Sequence, residues 1–459
     1  MPKPQISRRT ATGIAIGLFL VAGVLLLTSC GSSGGSDSTS SVAAASSEEP
    51  FPSYEPDRKP PESEYKGPLF ELSQDYPTEM PPKSEIPGFF KTDFRKGDSW
   101  RKYMMEVRNY CFEGNTDVEW RVQKNKIRGW YNMPWQHAGF FGREGIHGLT
   151  KEAPIQPFQL AESQSSGEGV AYAVGFYNSF GGYVIGQVWK DHKHPDPEYT
   201  STKGFPIGTV VCKPLFLNMK PEVVAAQIPF LKNPIQWEAY TTPTFGSSQR
   251  AVRKVTLIQL DFMVRDENSA SGWVFGTFQY NGALGHKDRW ENLAPVGMMW
   301  GNDPAYAESH KQDIPVTNVK GEFPAIKPYA KTPINANLAE TVINQSSELP
   351  PTHLGWQGRL NGPVDNFNSS CMSCHMTASS PAQPLSPVLT EKSERPPTGT
   401  PEWNKWWLQW FQNVGWKNGS LEKFKNAKYA LDFSLQLSAA LKNFYEAEND
   451  ITEKARVRR

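Results

Sequence analysis

Runs rich in β-branched and aromatic residues at 170–178, 182–190, 208–217, 252–265 and 272–280, each the length of a strand, constrain the chain most. Turn-forming residues separate these runs. Ser179-Phe180-Gly181 between the first pair predicts a hairpin, and Asp266-Glu267-Asn268-Ser269-Ala270 divides the last pair. Within 252–265, Val255, Leu257, Gln259 and Asp261 alternate with Thr256, Ile258, Leu260 and Phe262, so one face is the more apolar. The body from 88 to 330 is therefore expected to be β-rich, as an antiparallel sandwich.

The period changes near the C-terminus. Trp403, Trp406, Trp407, Trp410 and Phe411 fall at i, i+3, i+4, i+7 and i+8 and line one helix face, with Thr400 as N-cap and Pro401 as first residue. After Asn418-Gly419 a second amphipathic helix is expected from about Ser420, carrying Leu437, Leu441, Phe444 and Tyr445. The fold class is thus α+β: the β-rich body, then residues 331–459 with two helices.

The 459 residues suit two or three packed units. Lys and Arg number 48 against 47 Asp and Glu, and basic residues gather only at Arg456, Arg458 and Arg459, a distribution that excludes a nucleic-acid partner. The 15 tryptophans argue for an aromatic-rich core rather than a disordered chain, and 38 prolines with 37 glycines for many turns. No internal repeat, phosphate-binding loop, dinucleotide fingerprint or nucleophile elbow stands in a supporting context.

Lys3, Arg8 and Arg9 precede an apolar run over 13–27, short for a membrane span, which ends at Leu27-Thr28-Ser29-Cys30. That ending resembles the lipobox of bacterial lipoproteins. The resemblance implies a signal peptide over 1–29, lipidation of Cys30 and an exported, membrane-anchored protein, periplasmic or cell-surface; an uncleaved anchor with an incidental thiol is the alternative. Residues 30–50, almost all Ser, Gly and Ala at first, read as a flexible tether, and 51–87 as an extended Pro-rich segment lying along the body.

Cys371-Met372-Ser373-Cys374-His375 carries the chemistry. A zinc site would need a second ligand pair, whereas Cys30, Cys111 and Cys212 are each isolated; a thioredoxin-like pair would follow a strand, whereas Cys371 follows the polar loop 365–370. The five residues resemble the attachment motif of c-type cytochromes. That resemblance, which does not extend to the central body, implies one covalent haem c, thioether bonds at Cys371 and Cys374, His375 as proximal iron ligand, and electron transfer with a redox partner protein.

Small soluble cytochromes c take a sixth ligand from a methionine well downstream, yet here no methionine follows Met376 and no histidine follows His375. Met372 and Met376 stand too near His375 to reach the opposite haem face. The distal ligand is therefore expected from upstream, from another chain, or not at all. The upstream candidates are His353, in Pro350-Pro351-Thr352-His353-Leu354-Gly355, then Met298 and Met299; their alternatives are a plain loop histidine and core filling. The tryptophan stripe would shield the haem or simply pack.

Arg143 and His147, in the glycine-rich segment 142–148, are candidates for a distal pocket, with an ordinary loop as the alternative. His192 and His194 read as a solvated turn rather than a metal site, and Cys111 with Cys212 as a disulfide or two separate thiols. Three classes of function follow: electron transfer; a haem enzyme or gas binder, peroxidase-like, with an open sixth position; and a ligand- or carbohydrate-binding sandwich with an accessory haem.

Overall fold

Ten strands pair into one antiparallel sheet: β1 (Trp130–Tyr131), β2 (Thr150–Pro154), β3 (Val170–Ala173), β4 (Phe176–Asn178), β5 (Val210–Leu217), β6 (Gln236–Thr241), β7 (Ala251–Arg265), β8 (Trp273–Tyr280), β9 (Leu293–Met299) and β10 (Thr341–Ile343). The structure, a computed structural model, describes residues 50–324 and 332–457; the apolar run 13–27 and Cys30 lie outside the described residues. Strand order is β1-β4-β5-β7-β8-β9-β10, with β3 beside β5, β2 beside β3, and β6 beside β7. The long β7 is the spine: Val210–Leu217 pairs along one side, while β8 and β6 share the other end to end.

Among the described residues eight α-helices surround the sheet: α1 (Ser99–Phe112), α2 (Ser179–Val188), α3 (Pro197–Lys203), α4 (Pro221–Gln227), α5 (Pro304–Ser309), α6 (Cys371–His375), α7 (Pro401–Leu408) and α8 (Leu435–Val457). The sheet separates two hydrophobic cores. The first gathers Tyr103, Met104 and Val107 of α1 with Leu260, Phe262, Val264, Val274 and Phe278. The second gathers Val184 and Ile185 of α2, Met372, the α7 tryptophans and Leu437 and Leu441 of α8 with Met263, Trp273, Phe275 and Met299.

These two covers replace the expected sandwich: among the described residues there is one large sheet and two two-stranded ribbons, and the layers that face it are helices and loops. All eight residues of β8 are buried, so the strand has no solvated face. A register shift between β5 and β7 at Ile258 brings Val255 and Leu257 into the same core as Leu260 and Phe262, although their spacing would part them on a regular strand. β10, beyond residue 330, extends the sheet at β9, so the C-terminal segment shares the sheet's second core rather than forming its own.

Two elements differ from the expected ones. Residues 179–188 form α2, not the second arm of a hairpin: Asn178 caps the helix by accepting from Gly181 N, and Phe180, Val184, Ile185 and Val188 share its buried face. Gly182 is there for closeness, since a Cβ would lie 2.4 Å from the Tyr131 ring. The last helix starts at Leu435, because Trp416–Lys417 and Ser420–Leu421 pair as a ribbon. The Pro-rich segment does run along the body, burying Phe51, Phe70 and Leu72 in the second core. Cys111, in the last turn of α1, is joined to Cys212 of β5 by a disulfide.

Candidate functional site

The motif occupies one short helix, α6, laid on the second core. Ser370 and Ser373 form a reciprocal cap: Ser373 N donates to Ser370 Oγ at 3.1 Å and Ser370 N to Ser373 Oγ at 2.7 Å. Met372 and Ser373 are buried and fasten the turn, while Cys371, Cys374 and His375 are half-buried. His375 Nδ1–H donates to the Phe433 carbonyl oxygen at 2.8 Å, which fixes the ring and its tautomer and leaves Nε2 without a partner among the described residues. The Phe275 ring lies 4.9 Å away. Burial pushes the His375 imidazole down to about 4, so it is neutral at neutral pH with a free lone pair on Nε2.

Phe433 is positioned by an unusual corner. Asp432 and Phe433 both have left-handed backbones, φ 46° and 65°. The fully enclosed Asp432 carboxylate holds them by accepting from Phe205 N at 2.6 Å and Trp273 Nε1 at 2.8 Å, with Arg265 at 3.7 Å.

A polar row crosses the sheet on the motif's side. Lys213, Asp261 and Thr277 are register partners on β5, β7 and β8. Lys213 Nζ bonds Glu152 at 2.9 Å, and Thr277 Oγ1 donates to Asp261 at 2.8 Å while lying 3.9 Å from Cys371 Sγ. Gln259 Nε2 bridges Asp261 at 2.8 Å and Asp365 at 3.1 Å. Burial, then the Asp365 charge, raises the Asp261 carboxyl well above its ordinary range. Beside Gln259, the buried Gln279 leaves both amide atoms unpaired, polar capacity that the protein itself does not use. Burial also raises Cys371, and pushes Cys374 up to about 11, so both stay protonated at neutral pH; a thiol–disulfide exchanger needs the opposite shift.

The sheet parts the two methionine candidates. Met298 faces the first core, away from the motif, and Met299 the second, near Phe275 and Met372. An axial role for Met298 has no route through the sheet. His353 is buried, with Nε2 3.0 Å from the Asp365 carbonyl oxygen and its ring edge-on to Phe367. Arg143 and His147 stay with their own loop: Arg143 donates to the Met133 carbonyl and His147 stacks on Trp237 at 4.4 Å. Between them the Glu144 carboxylate accepts from the backbone N–H groups of Ile146, His147, Leu149 and Tyr240, so this segment is a structural knot, and none of the contacts of Arg143 or His147 reaches α6. His192 and His194 are exposed, and among the described residues no three His, Cys, Asp or Glu side chains are grouped to hold a metal ion. Of the 15 tryptophans only Trp416 is exposed, so the tryptophans present no binding face.

Sequence reasoning missed the polar row and the Asp432–Phe433 corner. Asp261 within the apolar run 255–264, and Lys213 within 210–217, were the available signals; the corner has none. No protein-family model, curated protein or solved structure matches this chain.

Proposed function

We propose that the chain is an exported, lipid-anchored c-type cytochrome that carries one covalent haem and transfers electrons to a partner protein. The observation that carries this reading is the geometry of α6: two protonated thiols and an imidazole on a single capped turn, left half-open while their neighbours are buried, with the imidazole oriented through Nδ1. These residues suit the group. Cys371 and Cys374 would hold it at two points and His375 Nε2 would meet the iron. When bound, the haem supplies a one-electron iron couple.

The chain's own part is orientation and exclusion of water. The Phe433 carbonyl holds the imidazole proton and so keeps the ring from turning. Phe275, Met299 and Met372, with the α7 stripe and α8 behind them, form an apolar wall on this side of the sheet. His353, which must exchange its bond to Asp365 to ligate through Nε2, and Met299 remain the sixth-ligand candidates. The Cys111–Cys212 disulfide supports an oxidising compartment, which suits export and lipidation at Cys30, and among the described residues no helix is long and apolar enough to cross a membrane.

The test is the optical spectrum of the purified, matured protein, oxidised, reduced and reduced under carbon monoxide, with a pyridine haemochrome assay to count haems. A low-spin spectrum that carbon monoxide leaves unchanged supports electron transfer. A high-spin spectrum with carbon monoxide binding replaces it with an enzyme or gas-binding role, and a chain without covalent haem sinks the reading.

A further inference from the structure

Along β5 every residue is buried except Lys213, and from 255 to 265 of β7 every residue is buried except Asp261. The two face each other in register, on the side of the sheet where Thr277 meets Cys371. Cys371, Cys374 and His375 also keep accessible surface. The polar row and α6 thus border a cleft that water reaches.

Carboxylates outnumber cations there. Lys213 comes from β5, Glu152 from β2, Asp261 from β7 and Asp365 from the loop ahead of α6, and Lys213 is already bonded to Glu152 at 2.9 Å. The Asp261 and Asp365 carboxylates share one donor nitrogen, Gln259 Nε2, at 2.8 and 3.1 Å, which keeps two like charges within reach of a single amide. β8 contributes the neutral Thr277, and α6 two protonated thiols and a neutral imidazole.

The two acids are not equivalent. Asp365 is held as an anion by a fixed backbone donor, Gly362 N at 2.9 Å. Asp261 has only the Gln259 amide and the Thr277 hydroxyl, and a hydroxyl can turn to accept a proton rather than donate one. Burial, then the Asp365 charge, also raises its carboxyl. Through Thr277 Oγ1 the carboxyl stands one hydroxyl away from Cys371 Sγ, while none of its hydrogen bonds goes to His375, His353 or Met299.

We infer that Asp261 is a proton site coupled to the haem: its carboxylate takes one proton from solvent when the iron accepts one electron from a protein donor, and returns it when the electron leaves. The inference rests on the cytochrome reading. Ferric iron becomes ferrous, an O–H bond forms at Asp261, and the net charge of the cleft stays constant, which a poorly solvated, acid-rich site favours. The added electron raises the proton affinity of the carboxyl, so by reciprocity the reduction potential falls as pH rises.

The test is potentiometric titration of the haem-loaded full-length protein across about pH 5 to 9, where a raised carboxyl titrates. The midpoint should fall with a slope approaching about 59 mV for each tenfold fall in proton activity, one proton per electron. Asp261→Asn keeps the shape but stays neutral, so it should hold the parent's acid-limit potential at every pH. It should also erase the carboxylic C=O band from the reduced-minus-oxidised infrared difference spectrum. Asp365→Asn should move the sloping region to lower pH without removing it. A parent with a flat profile overturns the proposal, as does an Asp261→Asn protein that keeps the parent's slope. If that variant fails to fold, the parent decides: a difference band that isotope-labelled aspartate does not shift overturns the proposal. A pyridine haemochrome assay is read separately. Absence of covalent haem removes the cytochrome reading and the proposal together, whereas bound haem with a flat profile removes the proposal alone.

Discussion

Replacing both Cys111 and Cys212 by alanine isolates the contribution of the link between α1 and the sheet. The bond joins residues 101 apart in sequence, and both side chains are fully buried in the first core. Releasing a loop of that length returns to the unfolded chain an entropy worth about 4.7 kcal/mol at 25 °C in the chain-entropy model. The cavity left by two lost sulfurs adds about 1 kcal/mol. The variant should therefore lose roughly 5 to 6 kcal/mol in guanidinium unfolding, with tryptophan fluorescence and far-ultraviolet circular dichroism giving coincident transitions in both proteins. Because the motif packs on the other face of the sheet, amide exchange at 371–375 should change no more than the global stability requires. A loss below about 2 kcal/mol would refute the loop-closure reasoning, and selective loosening of 371–375 would refute the separation of the two cores.

Thr400→Ala removes the side chain that caps α7 at Trp403 N and should cost about 1 kcal/mol, read as a shift in the unfolding midpoint; no shift would deny the cap. Asp432→Ala leaves Phe205 N and the Trp273 indole N–H buried without their acceptor and should cost about 3 kcal/mol; if the proposed haem is present, its ligand-field spectrum should change as well, and a stable variant with an unchanged spectrum would show that the corner does not orient His375. Asp261 has a raised folded pKa, so the folded protein keeps a proton that the unfolded chain releases. Its contribution is full below the ordinary carboxylate pKa and is lost as pH rises through the folded value. Asp261→Asn should flatten that decline, so its stability relative to the parent should grow from mildly acid to alkaline pH; parallel profiles would refute the shift.

The strand runs were legible because turn clusters bound them, and β5, β7 and β8 fall close to the expected limits. The sandwich was not, since alternation of apolar and polar residues predicts a solvated face only where nothing covers the sheet. Here α6, α7 and α8 cover it, and the polar members of the pattern, Gln259 and Asp261, satisfy one another instead of water. α2 was misread because its β-favouring Val184, Ile185 and Val188 sit there for tertiary packing, which overrides propensity. In the site, the five-residue motif was visible because its chemistry is local. Met298 and Met299 could not be told apart, although one step along a strand places them on opposite faces. The contact between His375 and Phe433 spans 58 positions and depends on two left-handed residues that have no glycine or asparagine to announce them.

That contact makes the far end of the chain a checkpoint for the motif. The carbonyl that aims the imidazole belongs to Phe433, and the side chain that pins this corner to Asp432, whereas both thiols and the histidine are synthesised well before either. A chain cut short between 376 and 431 would contain the complete Cys-x-x-Cys-His signal, and so remain open to modification, yet its imidazole would have no acceptor for Nδ1–H and no α8 behind it. On the proposed cytochrome reading, motif and competence are thus separable: a fragment would carry the attachment signal, and only the finished chain would hold the His375 imidazole in one orientation.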